Sequence, residues 1–153
     1  MGFDQADVIK CVSLCTLFIY LKFFATCTLQ GGHRTRAAED GGIAQRNAEK
    51  LKATAGGDFD EEKRWERIVL NDLENVLFGT ILMWASLIAM GDKTVTIIFS
   101  ILFVVFRYAH TICYVYELMP WRSICWVVAV VANIGLAINS VIGAFDSDNP
   151  WNV

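Results

Sequence analysis

The sequence predicts an all-α integral membrane protein, a bundle of four antiparallel transmembrane helices that run up and down across the bilayer. Two observations lead to this fold class. Of the 153 residues, 55% are hydrophobic and only 19% are charged, and the mean hydropathy is +0.43. The apolar residues gather in four runs of the length, roughly 20 residues, that a bilayer-crossing helix needs. We expect a single membrane domain over residues 1–153, with helices near 8–28, 64–90, 95–116 and 121–145.

The first helix is expected from Val8 to Thr28, with Lys10 and Lys22 near its two ends. This run is too long for a cleaved signal peptide, so we interpret it as a retained signal anchor. Residues 29–63 then form a polar loop punctuated by glycine pairs. The loop and the start of the next helix are rich in Lys and Arg, whereas the turn at 91–94 has one Lys. The positive-inside rule therefore predicts a cytosolic loop, with both termini on the opposite side.

The second helix begins with polar residues and becomes apolar from Val76 to Met90. The third is expected from Val95 to Tyr116, and a tight turn leads into the fourth. Because these connections are short, neighbouring helices should be antiparallel.

Charged residues inside the second and third helices are the first functional signal. Glu74 and Arg107 are each about ten residues from the loop side, a depth of roughly 15 Å. Intramembrane charges are costly and are usually paired or functional, so we expect these two to meet. Asn71 shares a face of its helix with Glu74, and Asp72 is expected to point elsewhere.

Further polar residues extend this feature into a ring near one membrane face. Arg107, His110 and Tyr114 form one stripe by their spacing of i, i+3 and i+7. Arg122 and Ser123 open the fourth helix, and the first helix exits toward Arg34 and Arg36. Such a ring suits a ligand with carboxylates and an ammonium, because Arg can bind carboxylates bidentately. Hydrogen bonding between helices is the alternative role for these residues, and spacing leaves both open.

Several function classes find little support in the sequence. The formal charge of −3 gives no basic excess for a phosphate backbone, so nucleic acid is not an expected partner. Only two histidines are present, without metal-ligand or phosphate-loop motifs, so we predict no metal site. A small channel, with Arg107 repeated by symmetry around a pore, is a third interpretation.

Three motifs carry a resemblance to a known family. They are Asn-Asp-Leu-Glu-Asn at 71–75, Arg-Tyr-Ala-His-Thr-Ile-Cys-Tyr at 107–114, and Pro-Trp-Arg-Ser at 120–123. In a four-span chain of this length, they resemble the membrane-associated eicosanoid and glutathione metabolism (MAPEG) family. The likeness is nearest to the branch of microsomal glutathione transferases and microsomal prostaglandin E synthases. It covers nearly the whole chain, from about Val8 to Phe145.

The resemblance implies a homotrimer that binds glutathione between neighbouring subunits near the cytosolic leaflet. Arg122 resembles the arginine that stabilises the glutathione thiolate, and Ser123 resembles the serine that hydrogen-bonds its sulfur. The other glutathione contacts that the resemblance implies are Arg34, Asn71, Glu74, His110 and Tyr114.

Two departures from the family pattern bear on activity. Val69 stands where the family usually has a histidine, and Leu70 stands where the prostaglandin synthase has a basic residue. We therefore predict a glutathione transferase, with peroxidase activity toward lipid hydroperoxides as a further expectation, in the endoplasmic reticulum or a mitochondrial membrane. The second substrate would be lipophilic and enter from the bilayer. The alternative is a non-catalytic accessory subunit of a larger membrane complex.

Overall fold

The computed structural model of the protein describes the backbone of residues 3–44 and 56–146 and the side chains of residues 3–35 and 63–146. These residues form no strand and four helices, which are α1 (Gln5–Ala44), α2 (Gly56–Ile88), α3 (Lys93–Val115) and α4 (Trp121–Ala144). Each helix contains a segment long and apolar enough to cross a membrane. The prediction of an all-α fold with four helices long and apolar enough to span a membrane is therefore confirmed for the described residues.

Two helices are longer than expected at the polar side. α1 continues to Ala44 and α2 already begins at Gly56, so most of the predicted loop 29–63 is helical. Glycine pairs favour breaks, but a helix tolerates a glycine at a cost of about 1 kcal/mol. The Arg, Ala and Glu residues at positions 34–39, between the first two glycine pairs, favour the helix. Residues 45–55 lie outside the described residues.

The helices pack as a bundle in which α1 contacts α2 and α3, while α4 contacts α3 and α2. Short connections join α2 to α3 and α3 to α4, so these neighbours are antiparallel. The buried core includes Val12, Ile19, Met83, Phe103 and Leu136. Large apolar side chains also cover the outside of the bundle, as lipid contact requires. Leu77, Phe78, Val131 and Ile138 are examples, each more than half exposed.

A close approach between α2 and α3 occurs at Gly79. A Cβ at this position would lie 2.1 Å from Cζ of Phe103, whose side chain is fully buried. The absence of a side chain therefore lets the phenyl ring press against the α2 backbone. The two helices are therefore in close contact at this level of the bundle.

Asn139 of α4 fastens the opposite end of the bundle. Its side-chain Nδ2 lies 2.8 Å from Oγ of Ser86 and 3.0 Å from Oγ1 of Thr96. Its Oδ1 accepts from the backbone N–H of Asp92 at 3.0 Å, and the Asp92 carboxylate caps α3 by accepting from Val95 N–H at 2.9 Å. These bonds tie the α2–α3 turn to α4, which is the interhelical role that polar residues often have in membranes.

Candidate functional site

A buried ion cluster lies where α1, α2 and α3 meet. The carboxylate of Asp72 on α2 forms ion pairs with Lys22 of α1 and with Arg107 of α3. All three residues are at most 5% exposed. Thr26 of α1 donates from Oγ1 to the same carboxylate at 3.3 Å. Three helices are thus fastened at one depth, by two cations around one anion.

The predicted pairing of Arg107 with Glu74 is wrong. Glu74 is exposed, whereas Asp72, expected to point elsewhere, is fully buried and binds Arg107. The reason is the rotation of α2, whose inward face carries Ile68, Asp72 and Met83 at helical spacing. Spacing gives the depth of a residue along a helix, but it does not say which face is turned inward. The missed signal was Lys22, an intramembrane cation that needs an anion on the same buried face.

Asn71 is joined to this cluster through Arg107. The guanidinium donates from Nη1 to Oδ1 of Asn71 at 2.9 Å and from Nη2 to its backbone oxygen at 3.2 Å. Asn75, one turn later, donates from Nδ2 to the same backbone oxygen at 2.8 Å. Two of the predicted residues, Asn71 and Arg107, are therefore in direct contact.

From Arg107, a stripe of α3 residues leads outward to the polar end of the bundle. The rings of His110 and Tyr114 lie 5.9 Å apart between centroids. The guanidinium carbon of Arg122, from α4, lies 4.6 Å from the centre of the Tyr114 ring, which is cation–π geometry. His110 is 4% exposed, and its Nδ1 makes no hydrogen bond to another described residue. The predicted helical stripe is present, and it extends to the start of α4.

A polar pocket of about 350 Å³ lies at the end of this stripe. It is formed by the head of α2, the last turns of α3, the turn after α3, and the start of α4. The lining residues are Lys63, Arg64, Arg67, Tyr114, Glu117, Met119 and Arg122. Its volume is at the lower end of the range, about 300–1,000 Å³, typical of small-molecule sites. With four cations and one carboxylate, the pocket is suited to an anionic ligand.

Glu117 neutralises only part of the positive charge of the pocket. It forms an ion pair with Arg64, whose Nη1 also donates to the backbone oxygen of Val115 at 3.4 Å. Lys63, Arg67 and Arg122 complete the cationic lining. The sequence pattern relates the basic residues of α2 only to the orientation of the chain in the membrane. Their place on the first turns of the second membrane helix, beside Arg122, could have identified them as pocket residues.

Of the predicted site residues, Tyr114 and Arg122 line this pocket, and the others are not among its lining residues: Arg34, Asn71, Glu74, Arg107, His110 and Ser123. Arg34, Glu74 and Ser123 are exposed, and none of their side chains makes a hydrogen bond or ion pair with another described residue. Arg34 follows His33, whose ring stacks on Trp65 of α2 at 5.6 Å. That stacking places the polar extension of α1 beside the head of α2. Arg36 lies outside the residues whose side chains are described.

Comparison with protein families agrees with this arrangement. The sequence profile of the MAPEG family matches residues 12–142, which include all four membrane segments in whole or in part. Among curated proteins, none matches the chain significantly.

Proposed function

The chain belongs to the MAPEG family, and on that premise we propose that it is a membrane-bound glutathione transferase that also reduces lipid hydroperoxides. The family includes glutathione transferases and related glutathione-dependent enzymes. The observation that carries the proposal is the cationic pocket of about 350 Å³, in which Tyr114 and Arg122 meet the basic head of α2. It opens at one end of a bundle whose four helices are membrane-spanning by length and composition.

The chemistry of glutathione fits this pocket. Glutathione carries two carboxylates and one ammonium, and its reactive form adds a thiolate. Arginine binds carboxylates through two parallel N–H donors, and the pocket offers Arg67 and Arg122 in addition to the paired Arg64. Binding of this anionic tripeptide is therefore favoured by net charge and by donor geometry together.

Arg122 is proposed to stabilise the glutathione thiolate. The thiolate is the nucleophile, and a nearby cation lowers a thiol pKa from about 8.5 toward neutrality. Arg122 keeps its charge when partly desolvated, and its packing over Tyr114 restricts where that charge lies. The sulfur then attacks an electrophile from the bilayer and forms a thioether while the leaving group departs. Ser123, the next residue, is proposed to donate a hydrogen bond to the sulfur.

A homotrimer is proposed to complete the site. Arg34, Glu74 and Ser123 lie exposed on the surface of a single chain, where a neighbouring copy could bring its own polar residues to the ligand. In this arrangement Arg34 and Glu74 bind the polar ends of glutathione, while Asn71, His110 and Tyr114 form its wall. We place the trimer in the endoplasmic reticulum or a mitochondrial membrane.

The thiolate absorbance of the enzyme with saturating glutathione tests the role of Arg122. Arg122→Leu should lower this absorbance more than it weakens glutathione binding, because the cation acts on the thiolate. Arg122→Lys, which keeps the charge without the planar fork, should restore part of the signal. An unchanged signal in Arg122→Leu would remove Arg122 from this role. Absence of glutathione transfer to any lipophilic electrophile would contradict the proposed function.

The second candidate is a non-catalytic accessory subunit of a larger membrane complex. Val69 favours the accessory subunit, because this position usually holds a histidine in the MAPEG family. Purification in mild detergent distinguishes the two. A stoichiometric second protein that stays bound would favour the accessory subunit, whereas an oligomer of this chain alone that turns over glutathione would favour the enzyme.

A further inference from the structure

We propose that Arg107, anchored by Asp72, is a positioning residue that orients the side-chain amide of Asn71 so that its NH₂ group faces the ligand. The inference rests on the proposed function, since it assigns a role within the same glutathione site. Arg107 and Asp72 are not ligand contacts in this proposal, because they act on Asn71 from inside the bundle.

The orientation follows from the hydrogen-bonding capacity of the groups. A guanidinium has five N–H donors and no acceptor. Its Nη1 therefore has to meet the oxygen of the Asn71 side chain, which lies 2.9 Å away. A flipped amide would place its NH₂ group against an Arg N–H and lose this bond. The Asn71 amide consequently has one favourable orientation while Arg107 stays in place.

The NH₂ group of Asn71 is left for another partner. Its Nδ2 makes no hydrogen bond to any residue that the structure describes, and the side chain is only partly buried. An amide NH₂ has two N–H donors, which suit a carboxylate or a peptide carbonyl. Glutathione supplies both kinds of acceptor.

Arg107 holds its position because it is bound on two sides. Nη2 reaches both the Asp72 carboxylate and the backbone oxygen of Asn71, and the guanidinium is fully buried. Asp72 is itself bound by Lys22 and Thr26 of α1. The group that touches Asn71 is thus held by α2 directly and by α1 through Asp72, which restricts its rotamer.

A double-mutant cycle between Arg107→Lys and Asn71→Ala tests the proposal. Lysine keeps the positive charge near Asp72, but it lacks the planar guanidinium whose second nitrogen reaches Asn71. We expect Arg107→Lys to raise the glutathione Kd about tenfold, the loss of one hydrogen bond to a charged group. In the Asn71→Ala background, the same substitution should change Kd by less than about twofold, as expected for residues that act as a unit.

A purely structural role would give a different result. The midpoint of thermal unfolding should fall in either case, because Arg107→Lys loses buried hydrogen bonds, but the effect of a purely structural role on Kd would be additive with that of Asn71→Ala. Additive changes in Kd therefore overturn the positioning role. Tyr108→Phe is the matched control, because it removes an interhelical hydrogen bond from the next residue of α3, to the Phe18 oxygen at 2.8 Å. We expect it to leave the glutathione Kd unchanged.

Asn71→Asp gives a second test that does not depend on Arg107→Lys folding. The new carboxylate can still accept from Arg107, and it adds a negative charge beside a cluster with an excess positive charge. The carboxylate oxygen that replaces the NH₂ group would face an oxygen of the ligand carboxylate or carbonyl, and the two would repel each other. The glutathione Kd should therefore rise beyond the value for Asn71→Ala. Wild-type affinity in Asn71→Asp contradicts the proposed orientation. Glutathione binding by the wild type separates these outcomes from a failure of the proposed function, because a wild type that does not bind overturns both.

Discussion

At the residue scale, Asp72 is the one anion in the buried cluster of charged side chains. It is the carboxylate to which both Lys22 and Arg107 are bound, and all three are shielded from solvent. A cation without an anion in a low-dielectric interior is strongly unfavourable, whereas a single ion pair with full hydrogen bonding is tolerated. Removing Asp72 would leave two buried cations without an anion, whereas removing one cation would leave a single ion pair. The two changes should therefore affect stability differently.

Stability measurements on Asp72→Asn and Lys22→Met test this charge balance. Asp72→Asn leaves two buried cations and should destabilise the fold by about 3–5 kcal/mol. Lys22→Met keeps the pair of Asp72 with Arg107 and fills similar space, so its unfolding midpoint in detergent should be near or above that of the wild type. An equal loss of stability in both variants would mean that net charge does not control the cluster.

Part of this site was predictable from residue spacing. The sequence identified Arg107, His110 and Tyr114 as one stripe, which the structure has on α3, but it paired Arg107 with the wrong carboxylate. Two residues along a helix correspond to about 200° of rotation, so Asp72 and Glu74 point to opposite sides. The packing of α2 against α1 and α3, which brings Lys22 and Arg107 to Asp72, decides which of them is buried.

At the element scale, helix ends were harder to predict than membrane spans. The apolar parts of the four helices follow from hydropathy alone, because a bilayer demands their length. The extensions of α1 to Ala44 and of α2 back to Gly56 depend on polar sequence, where glycine gave a misleading signal. Glycines in these helices have two different roles. A Cβ added at Gly31 would have no neighbouring atom within 4 Å, whereas Gly79 makes room for Phe103.

Alanine substitutions at these two glycines should have opposite effects on stability. Gly31→Ala should stabilise α1 by about 0.5–1 kcal/mol, because alanine restricts the unfolded chain and space is open. Gly79→Ala should destabilise by about 1–3 kcal/mol, the usual cost of overpacking, because the buried Phe103 ring has to move. Thermal unfolding in the same detergent compares them. A neutral Gly79→Ala would contradict the close contact of α2 with α3.

The whole molecule places its charges unevenly. The ion cluster, the stripe of α3 and the cationic pocket all lie in the half of the bundle toward the polar ends of α1 and α2, while Asn139 fastens the other end. The sequence predicted that polar residues gather in this half, because intramembrane polar residues stand out from an apolar background. Three of the residues predicted for the ring, Arg34, Glu74 and Ser123, are exposed instead. The sequence could not predict the pocket itself. That cavity depends on how the α2 head, the turn after α3 and the start of α4 meet, and such contacts between distant segments leave no local pattern.

Calorimetric titration of the detergent-solubilised protein with glutathione tests the central claim, that this pocket is a glutathione site. We expect saturable binding in the wild type. Arg67→Gln should raise the Kd, since it removes a cation from the pocket lining. Lys10→Gln is the matched control, because it removes one positive charge at an exposed position whose ion pair among the described residues is the local one with Asp7. Binding that weakens in Arg67→Gln and stays unchanged in Lys10→Gln supports the site. Heats of dilution alone, up to millimolar glutathione, would contradict it.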